Sequence, residues 1–204
     1  MTITRRHALI LTAGAALAAG PAAADDLSRE MIVGDPAAPV GGAPRGDVTL
    51  VAFLDYNCPY CKTSAPALKT VVREDGRVRL VYKDWPILGR NSVYGAKLAL
   101  AAHRQGRYET AHAALMALKG ASRPTTDLDE AVAAAGVDMD RLRRDAARDE
   151  AAIVALLKRN DAQAKGMGFP GTPIYLVGPL LVAEAPDVER FKAAVARARA
   201  RQKG

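Results

Sequence analysis

Two cysteines separated by two residues are the part of this sequence best suited to chemistry. Cys58 and Cys61 are the two cysteines of the 204-residue chain, so within one molecule each can form a disulfide only with the other. Pro59 and Tyr60 stand between them. A thiol pair at this spacing can close a disulfide and then pass it to another dithiol through a mixed-disulfide intermediate. The spacing therefore predicts thiol–disulfide exchange.

The residues around the pair predict a position that activates the first thiol. Residues 48–54 form a continuous apolar run of strand length, and apolar residues at helical spacing follow the pair. Cys58 would then lie at a helix N-terminus, where unpaired N–H groups and the helix dipole stabilise a thiolate. Pro59 suits the first helical position because it has no N–H to leave unpaired there. Lys62 adds positive charge, and Cys61 would close the disulfide or resolve a mixed one.

Two other roles for the pair are less favoured. A zinc site needs two more ligands, and after residue 24 the only histidines are His103 and His112. They fall in different predicted helices, at a spacing unlike that of a zinc finger, and we expect both on helix surfaces and no metal at the pair. An inert structural disulfide that closes so short a loop would stabilise the fold little.

Residues 1–24 are predicted to be an export signal. Arg5 and Arg6 form a basic region, residues 8–19 form an apolar stretch too short to span a bilayer, and Ala24 ends a run of small residues that offers a cleavage site. The paired arginines and the weakly apolar stretch favour a twin-arginine signal, with general secretion as the alternative. Either route leads to the periplasm, an oxidising compartment.

The rest of the chain predicts an α/β fold with a helical block inserted. The predicted order is an arm at 25–47, a strand–helix–strand unit at 48–82, helices at 92–168, a strand hairpin at 173–182 and a last helix from 187 to about 202. In this order, β-α-β … β-β-α, residues 48–91 and 169–204 form one domain. We expect residues 92–168 to form an all-helical insertion, with Ser92 as the N-cap of its first helix.

Composition excludes several other classes of protein. Half of the residues are hydrophobic and 25% are charged, which is typical of neither a disordered chain nor a membrane-spanning bundle. The net charge of +7 and the cations of the last helix could suggest nucleic-acid binding. We favour a solvated helix whose cations complement the helix dipole, and we expect no nucleic-acid partner.

Three segments together resemble the family of DsbA-type thiol:disulfide oxidoreductases. They are residues 55–62 (DYNCPYCK), 83–89 (KDWPILG) and 171–173 (GTP), and the similarity extends over about residues 31–202. The resemblance implies a thioredoxin-like fold that carries an inserted helical subdomain. It also implies that Cys58 is the exposed nucleophile and Cys61 the buried resolving thiol. Pro173 matches the family's cis-proline, and the backbone of Thr172 would pair with an extended substrate segment.

The chain departs from the family at two positions beside the pair. Many relatives have a buried carboxylate where this chain has Ala52, whereas Lys83, often the neighbour of that acid, is retained. Asp55 or a water could replace the acid in moving the proton of Cys61, and Ala52→Glu is expected to speed thiol exchange. Tyr60 replaces the histidine of strongly oxidising relatives, so a less extreme oxidant is expected.

Together these features predict a periplasmic enzyme that introduces disulfides into reduced protein substrates. The resemblance implies reoxidation by a membrane-bound redox partner and no dissociable cofactor. A disulfide isomerase or reductase of the same fold is the alternative, although residues 25–47 are too short and too rich in Gly and Pro for the oligomerisation segment of family isomerases, so a monomer is expected. A soft-metal-binding protein of this fold is a further alternative, but the methionines do not cluster near the cysteines.

Overall fold

The computed structural model describes residues 26–120 and 123–202, so the predicted signal at 1–24 lies outside the described part of the chain. In chain order the described elements are α1 (Arg29–Gly34), β1 (Val40–Gly42), β2 (Val48–Leu54), α2 (Pro59–Asp75), β3 (Val78–Asp84), α3 (Arg90–His103), α4 (Tyr108–Ala117), α5 (Thr125–Ala134), α6 (Met139–Arg148), α7 (Glu150–Gly166), β4 (Ile174–Val177), β5 (Leu180–Val182) and α8 (Val188–Arg201). The predicted β-α-β, helical block, β-β-α order is confirmed.

The described strands form one mixed sheet in the order β1-β3-β2-β4-β5. β2 and β3 are parallel and are joined by α2, whereas the other neighbouring pairs are antiparallel. β2 lies at the centre, and six of its seven residues are buried, which explains its continuous apolar run. The centre of the sheet therefore ends directly at the two cysteines.

The two faces of the sheet have separate cores. On one face Leu50 and Ala52 of β2 belong to the cluster that contains Cys61 and Phe191, so α2 and α8 cover this face. On the other face Phe53 packs with residues of α1 and α7. Full burial of a side chain such as Phe53 stabilises the fold by about 2–3 kcal/mol. The cysteines thus belong to one face only.

The segment predicted as an arm is more regular than expected. It contains the short helix α1 and the edge strand β1, which pairs with β3. Glycine is rare in strands, so Gly41 and Gly42 give no strand pattern in the sequence. The structure shows a reason for each glycine. A Cβ on Gly41 would lie 2.3 Å from Glu109 Oε1, and Gly42 has a φ of 66°, which favours glycine.

Between β3 and β4 the described chain is helical, but two predictions about this block are wrong. Helix α3 begins at Arg90, after Gly89, and not at Ser92, which is buried within the first turn. His112 is buried rather than on the surface, whereas His103 is exposed. His112 follows Tyr108 by four residues and so lies on the same buried stripe of α4. Within the described residues no helix is long and apolar enough to cross a membrane.

Candidate active site

The end of β2 and the start of α2 place the two cysteines. Cys58 is the N-cap of α2, and its Sγ accepts a hydrogen bond from the Cys61 N–H at 3.4 Å. Pro59 occupies the first helical position, where its lack of an N–H costs nothing. The N–H of Cys58 donates to the backbone oxygen of Asp55 at 3.1 Å, which fixes the turn. Both cysteines are free thiols, and Cys61 is fully buried. Cys58 is only 3% exposed, so the expectation of an exposed thiol at this position is wrong.

The loop before β4 lies against the first cysteine. The Thr172–Pro173 peptide bond is cis, and Thr172 O is 3.2 Å from Cys58 Sγ. The chain therefore brings together Cys58 and Thr172, which are 114 residues apart in sequence. The thiol pair and the Thr172–Pro173 loop, proposed from separate segments of sequence, share one site.

The two thiols have opposite acidities. Hydrogen bonds to the Cys58 sulfur, first from the Cys61 thiol and also from backbone N–H groups at the start of α2, lower the Cys58 pKa to about 6, although burial acts in the opposite direction. Burial and the neighbouring Cys58 sulfur raise the pKa of Cys61 far above its ordinary value. At neutral pH one thiol is largely ionised and the other keeps its proton, so the pair has a nucleophile and a proton-bearing partner.

The Asp55 carboxylate ties three segments together beside the pair. Its Oδ1 accepts hydrogen bonds from the Asn57 N–H and from Ser92 Oγ, both at 2.7 Å. Its Oδ2 accepts from the N–H groups of Ile87 and Leu88 at 2.8 and 2.9 Å. Four donors occupy this buried carboxylate, so Asp55 holds the turn before Cys58, the loop after β3 and helix α3 in place.

Lys83 does not face the cysteines. It pairs in register with Phe53, next to the Ala52–Tyr82 pair, and successive strand residues point to opposite faces of the sheet. Its fully buried ammonium group lies 3.5 Å from Asp35 Oδ2, on the face that carries α1. Lys83 therefore lies on the face of the sheet opposite to Ala52 and the cysteines. Asp35 is the carboxylate that accompanies this lysine.

Ala52 lies between two tyrosines on the cysteine face of the sheet. Tyr82 of β3 and Tyr175 of β4 are its register partners, and Ala52 is completely buried. A glutamate at this position would have to displace one of these rings, so the expected gain from Ala52→Glu does not fit the packing. Tyr175 Oη lies 2.6 Å from Ser64 Oγ in α2, a contact that the sequence did not indicate.

A second buried polar group lies near the same turn and also escaped sequence reasoning. Tyr56 Oη is 3.0 Å from His112 Nδ1 and 3.4 Å from Tyr108 Oη. Tyr108 donates to the Asp84 carboxylate at 3.0 Å. Burial raises the pKa of Asp84 to about 7 and lowers that of His112 to about 4. The sequence feature that could have indicated this group is the spacing of Tyr108 and His112, which are four residues apart and so lie on one face of α4.

A shallow groove opens beside the thiol pair. It has a volume of about 380 Å³ and is lined by Tyr60, by the loop at 170–174 and by residues 183–185. Tyr60 is 67% exposed, so its ring forms an accessible wall next to Cys58. Across the described residues no cluster of three or more His, Cys, Asp or Glu side chains is placed to hold a metal ion.

Comparison with solved structures gives close matches over most of the chain. A thioredoxin-like oxidoreductase from Silicibacter pomeroyi DSS-3 superposes with a TM-score of 0.78 at 41% identity, over 85% of this chain and 98% of that one. The thiol-disulfide exchange protein alpha-DsbA2 from Wolbachia pipientis gives 0.77 at 26% identity, over 86% and 95%. A periplasmic thioredoxin-like protein from Salmonella enterica serovar Typhimurium gives 0.71 at 27% identity, over 89% and 98%.

Sequence comparison adds a family and a set of much longer relatives. The family model described as a DSBA-like thioredoxin domain matches residues 49–196. Among curated proteins, the Na(+)/H(+) antiporter NhaA 1 from Salinispora arenicola is 29% identical over 161 residues, which are 78% of this chain and 24% of that protein. The chain thus spans about a quarter of the length of the curated relatives that it matches.

Proposed function

Because the chain belongs to the family of DSBA-like thioredoxin domains, a family of thiol:disulfide oxidoreductases, we propose that it introduces disulfides into reduced protein substrates. The observation that carries this proposal is the unequal pair of thiols. Cys58 has a pKa of about 6 at the start of α2, whereas burial raises the pKa of Cys61. A low pKa makes Cys58 a good leaving group, which favours donation of the disulfide.

The reaction begins with the enzyme in its disulfide form. A substrate thiolate attacks Cys58 Sγ, a substrate–Cys58 mixed disulfide forms, and Cys61 leaves and takes up a proton because its pKa is high. A second substrate thiolate then attacks the substrate sulfur of the mixed disulfide and expels Cys58 as a thiolate. The substrate loses two electrons and gains a disulfide, and the enzyme is left as the dithiol.

The groove beside Cys58 supplies a place for the substrate chain. Tyr60 forms one wall, and the Thr172–Pro173 loop forms the floor next to the reacting sulfur. An extended substrate segment that pairs with the backbone at Thr172 would bring its own cysteine to Cys58. Cys58 and Cys61 are thus the proposed catalytic residues, with Thr172 and Pro173 as the proposed substrate loop.

The compartment and the partners follow from the same chemistry. We place the enzyme in the periplasm, in agreement with the periplasmic protein among its structural neighbours. A membrane-bound redox partner would take the two electrons from the dithiol and restore the disulfide. We expect the enzyme to act as a monomer without a dissociable cofactor. The antiporters that it resembles are about four times as long as the matched segment, and the thiol site lies within that segment of this chain.

Oxidase and isomerase activities can be separated with one substrate protein in two states. The oxidised enzyme is expected to speed recovery of active ribonuclease from the fully reduced protein more than from the scrambled protein. Cys58→Ser is expected to abolish this activity. In Cys61→Ser the Cys58 thiolate can attack a disulfide of scrambled ribonuclease and expel one ribonuclease thiolate, so this variant is expected to accumulate the mixed disulfide with the scrambled protein. Faster recovery from scrambled ribonuclease would instead assign an isomerase. Full activity of Cys58→Ser would contradict the mechanism.

A further inference from the structure

The place of the family's missing acid is taken by a hydroxyl pair. Ala52 is flanked in register by Tyr175, and the Tyr175 ring fills the cysteine face of the sheet with no exposed surface. Its hydroxyl lies 2.6 Å from Ser64 Oγ, and Ser64 is also fully buried. Two buried hydroxyls at this distance share a strong hydrogen bond, and leaving either one unpaired would be costly.

The direction of this hydrogen bond follows from the other partners of the serine. Ser64 Oγ is 3.0 Å from Tyr60 O and 3.2 Å from Cys61 O, and a carbonyl oxygen can only accept. The serine hydrogen is therefore directed to these carbonyls, and the Tyr175 hydroxyl donates to Ser64. In this way Tyr175 of β4 binds α2 at Ser64, three residues after Cys61.

The same strand bears the loop that lies against Cys58. Tyr175 is two residues after Pro173, and Thr172 O is 3.2 Å from Cys58 Sγ. Strand β4 and helix α2 are thus connected twice, once at Thr172 and Cys58 and once at Tyr175 and Ser64. A loss of the second connection would allow the loop to move away from the sulfur.

We propose that Tyr175, acting through Ser64, is a positioning residue that holds the Thr172–Pro173 loop against the thiol pair. The role rests on the proposed thiol–disulfide exchange and adds to it a residue outside the cysteine motif. The Cys58 thiol donates to the carbonyl oxygen of Thr172 at 3.2 Å, a hydrogen bond that only the protonated thiol can form, so a displaced loop would favour the thiolate and lower the Cys58 pKa.

The test compares Tyr175→Phe with a matched variant on the other side of Ala52. Loss of one hydrogen bond that stabilises the protonated thiol corresponds to a pKa decrease of about 0.7 units, so Tyr175→Phe is expected to react with iodoacetamide about fourfold faster at pH 5. In Tyr82→Phe the lost hydroxyl is the one that donates to Glu109 at 2.9 Å, away from the cysteines. This variant is expected to lose stability without a change in the alkylation rate.

Ser64→Ala removes the same bond from the other end. It is expected to speed alkylation to the same extent, and the double variant is expected to be no faster than either single one, because all three lack one shared bond. An unchanged rate in folded Tyr175→Phe, or additive effects in the double variant, would overturn the proposal. If Tyr175→Phe does not fold, the comparison of Ser64→Ala with Tyr82→Phe decides it.

The alkylation test needs no protein substrate. If the wild-type enzyme acts on neither form of ribonuclease, the proposed function is contradicted, but the measured acidity of Cys58 is not affected. If the enzyme is active but the acidity of Cys58 does not depend on Tyr175, only the positioning role of Tyr175 is contradicted. The two outcomes are therefore distinguishable.

Discussion

Cys58 and Cys61 carry the same side chain, yet the fold gives them opposite acidities. At the N-cap of α2, Cys58 accepts hydrogen bonds that lower its pKa to about 6. One turn further on, Cys61 is fully buried, and burial raises its pKa. The difference is a matter of position along a single helical turn, so the reduced enzyme holds one thiolate and one thiol at neutral pH.

This asymmetry predicts how the reduction potential depends on pH. An ordinary thiol is ionised only above about pH 9, whereas Cys58 is ionised above about pH 6. The low pKa of Cys58 therefore stabilises the reduced form fully above pH 9, and this stabilisation declines as the pH falls and is lost below pH 6. Reduction takes up two protons below pH 6 and one above it. We expect the potential, measured by equilibration with glutathione, to fall by about 59 mV per pH unit below pH 6 and by about 30 mV above.

A slope that stays at about 59 mV per unit up to pH 8 would contradict the assigned acidity of Cys58. The Lys192→Gln variant is a suitable control, because the ammonium group of Lys192 pairs with Glu74 at 3.2 Å, at the end of α2 opposite to Cys58. Its change of slope is expected at nearly the same pH.

We expect the protein to lose much stability when the charge of Asp55 is removed. In Asp55→Asn an amide would face the N–H groups of Ile87 and Leu88, which the carboxylate now accepts. Loss of charge-assisted hydrogen bonds at a buried site costs about 3 kcal/mol, or roughly 10 °C in Tm for a domain of this size. Thermal unfolding followed by circular dichroism measures this change.

Asp187→Asn is the matched control for this substitution. Asp187 caps α8 by accepting from the Arg190 N–H at 2.8 Å, and asparagine caps helices as well as aspartate does. Its Tm is expected to stay within about 2 °C of the wild type. An equal loss in both variants would show that the interpretation of the Asp55 site is wrong.

At the scale of elements, α1 and the segment after it are joined to the sheet by buried charge. Asp35 follows α1 and accepts from Arg159 of α7 at 2.8 Å, and it lies 3.5 Å from Lys83 of β3. Burial raises the pKa of Asp35, but the hydrogen bond from Arg159 and the charge of Lys83 outweigh it, so the pKa is lowered. Three elements therefore depend on one carboxylate.

Asp35→Asn is expected to destabilise the protein in a way that depends on pH. It leaves Lys83 buried without its counter-ion, and breaking a buried pair costs about 3 kcal/mol or more. Burial already lowers the pKa of Lys83 to about 8, and loss of Asp35 lowers it further. The folded variant then binds fewer protons than the unfolded chain, so its stability rises with pH, and its Tm deficit is expected to be smaller at pH 9 than at pH 6.

Thermal unfolding at the two pH values measures the difference in Tm between Asp35→Asn and the wild type. Asp26→Asn is the control, because Asp26 is 42% exposed and lies 3.8 Å from Arg159, and an exposed pair contributes less than about 1 kcal/mol. A deficit that grows between pH 6 and pH 9 in Asp35→Asn would contradict the role given to Lys83.

At the scale of the whole molecule, the order of elements could be predicted but several side-chain positions could not. The central strand at 48–54 is buried on both faces, so its sequence is a continuous apolar run. The side chains of Tyr82 and Lys83, in contrast, point to opposite faces of the sheet. A shift of one residue in register would exchange these faces, so the sequence alone does not show which face Lys83 takes. Ser64 and Tyr175 are 111 residues apart, and no local pattern predicts their contact.

Two cations of the last helix form ion pairs with other elements of the fold. The cations of α8 were expected to form a solvated face. Arg199 in fact bridges Asp47 and Asp75, at 2.7 and 2.9 Å, and Lys192 lies 3.2 Å from Glu74. These pairs join the last helix to the end of α2 and to the turn before β2. The division into a thioredoxin-like domain (48–91 and 169–204) and a helical insertion (92–168) stays a prediction.

The export signal gives the last prediction, because the thiol pair can donate a disulfide only where reoxidation is possible. In bacteria that express the full chain, we expect the protein in the periplasmic fraction, with Asp25 as its first residue on N-terminal sequencing. The Arg5→Lys, Arg6→Lys double variant keeps the charge that general secretion requires but removes the twin-arginine pair. We expect this variant to stay in the cytoplasm with its thiols reduced, as measured by alkylation in acid-quenched cells. Unchanged export of the double variant would assign the general secretion route, and cytoplasmic wild-type protein would contradict the proposed compartment.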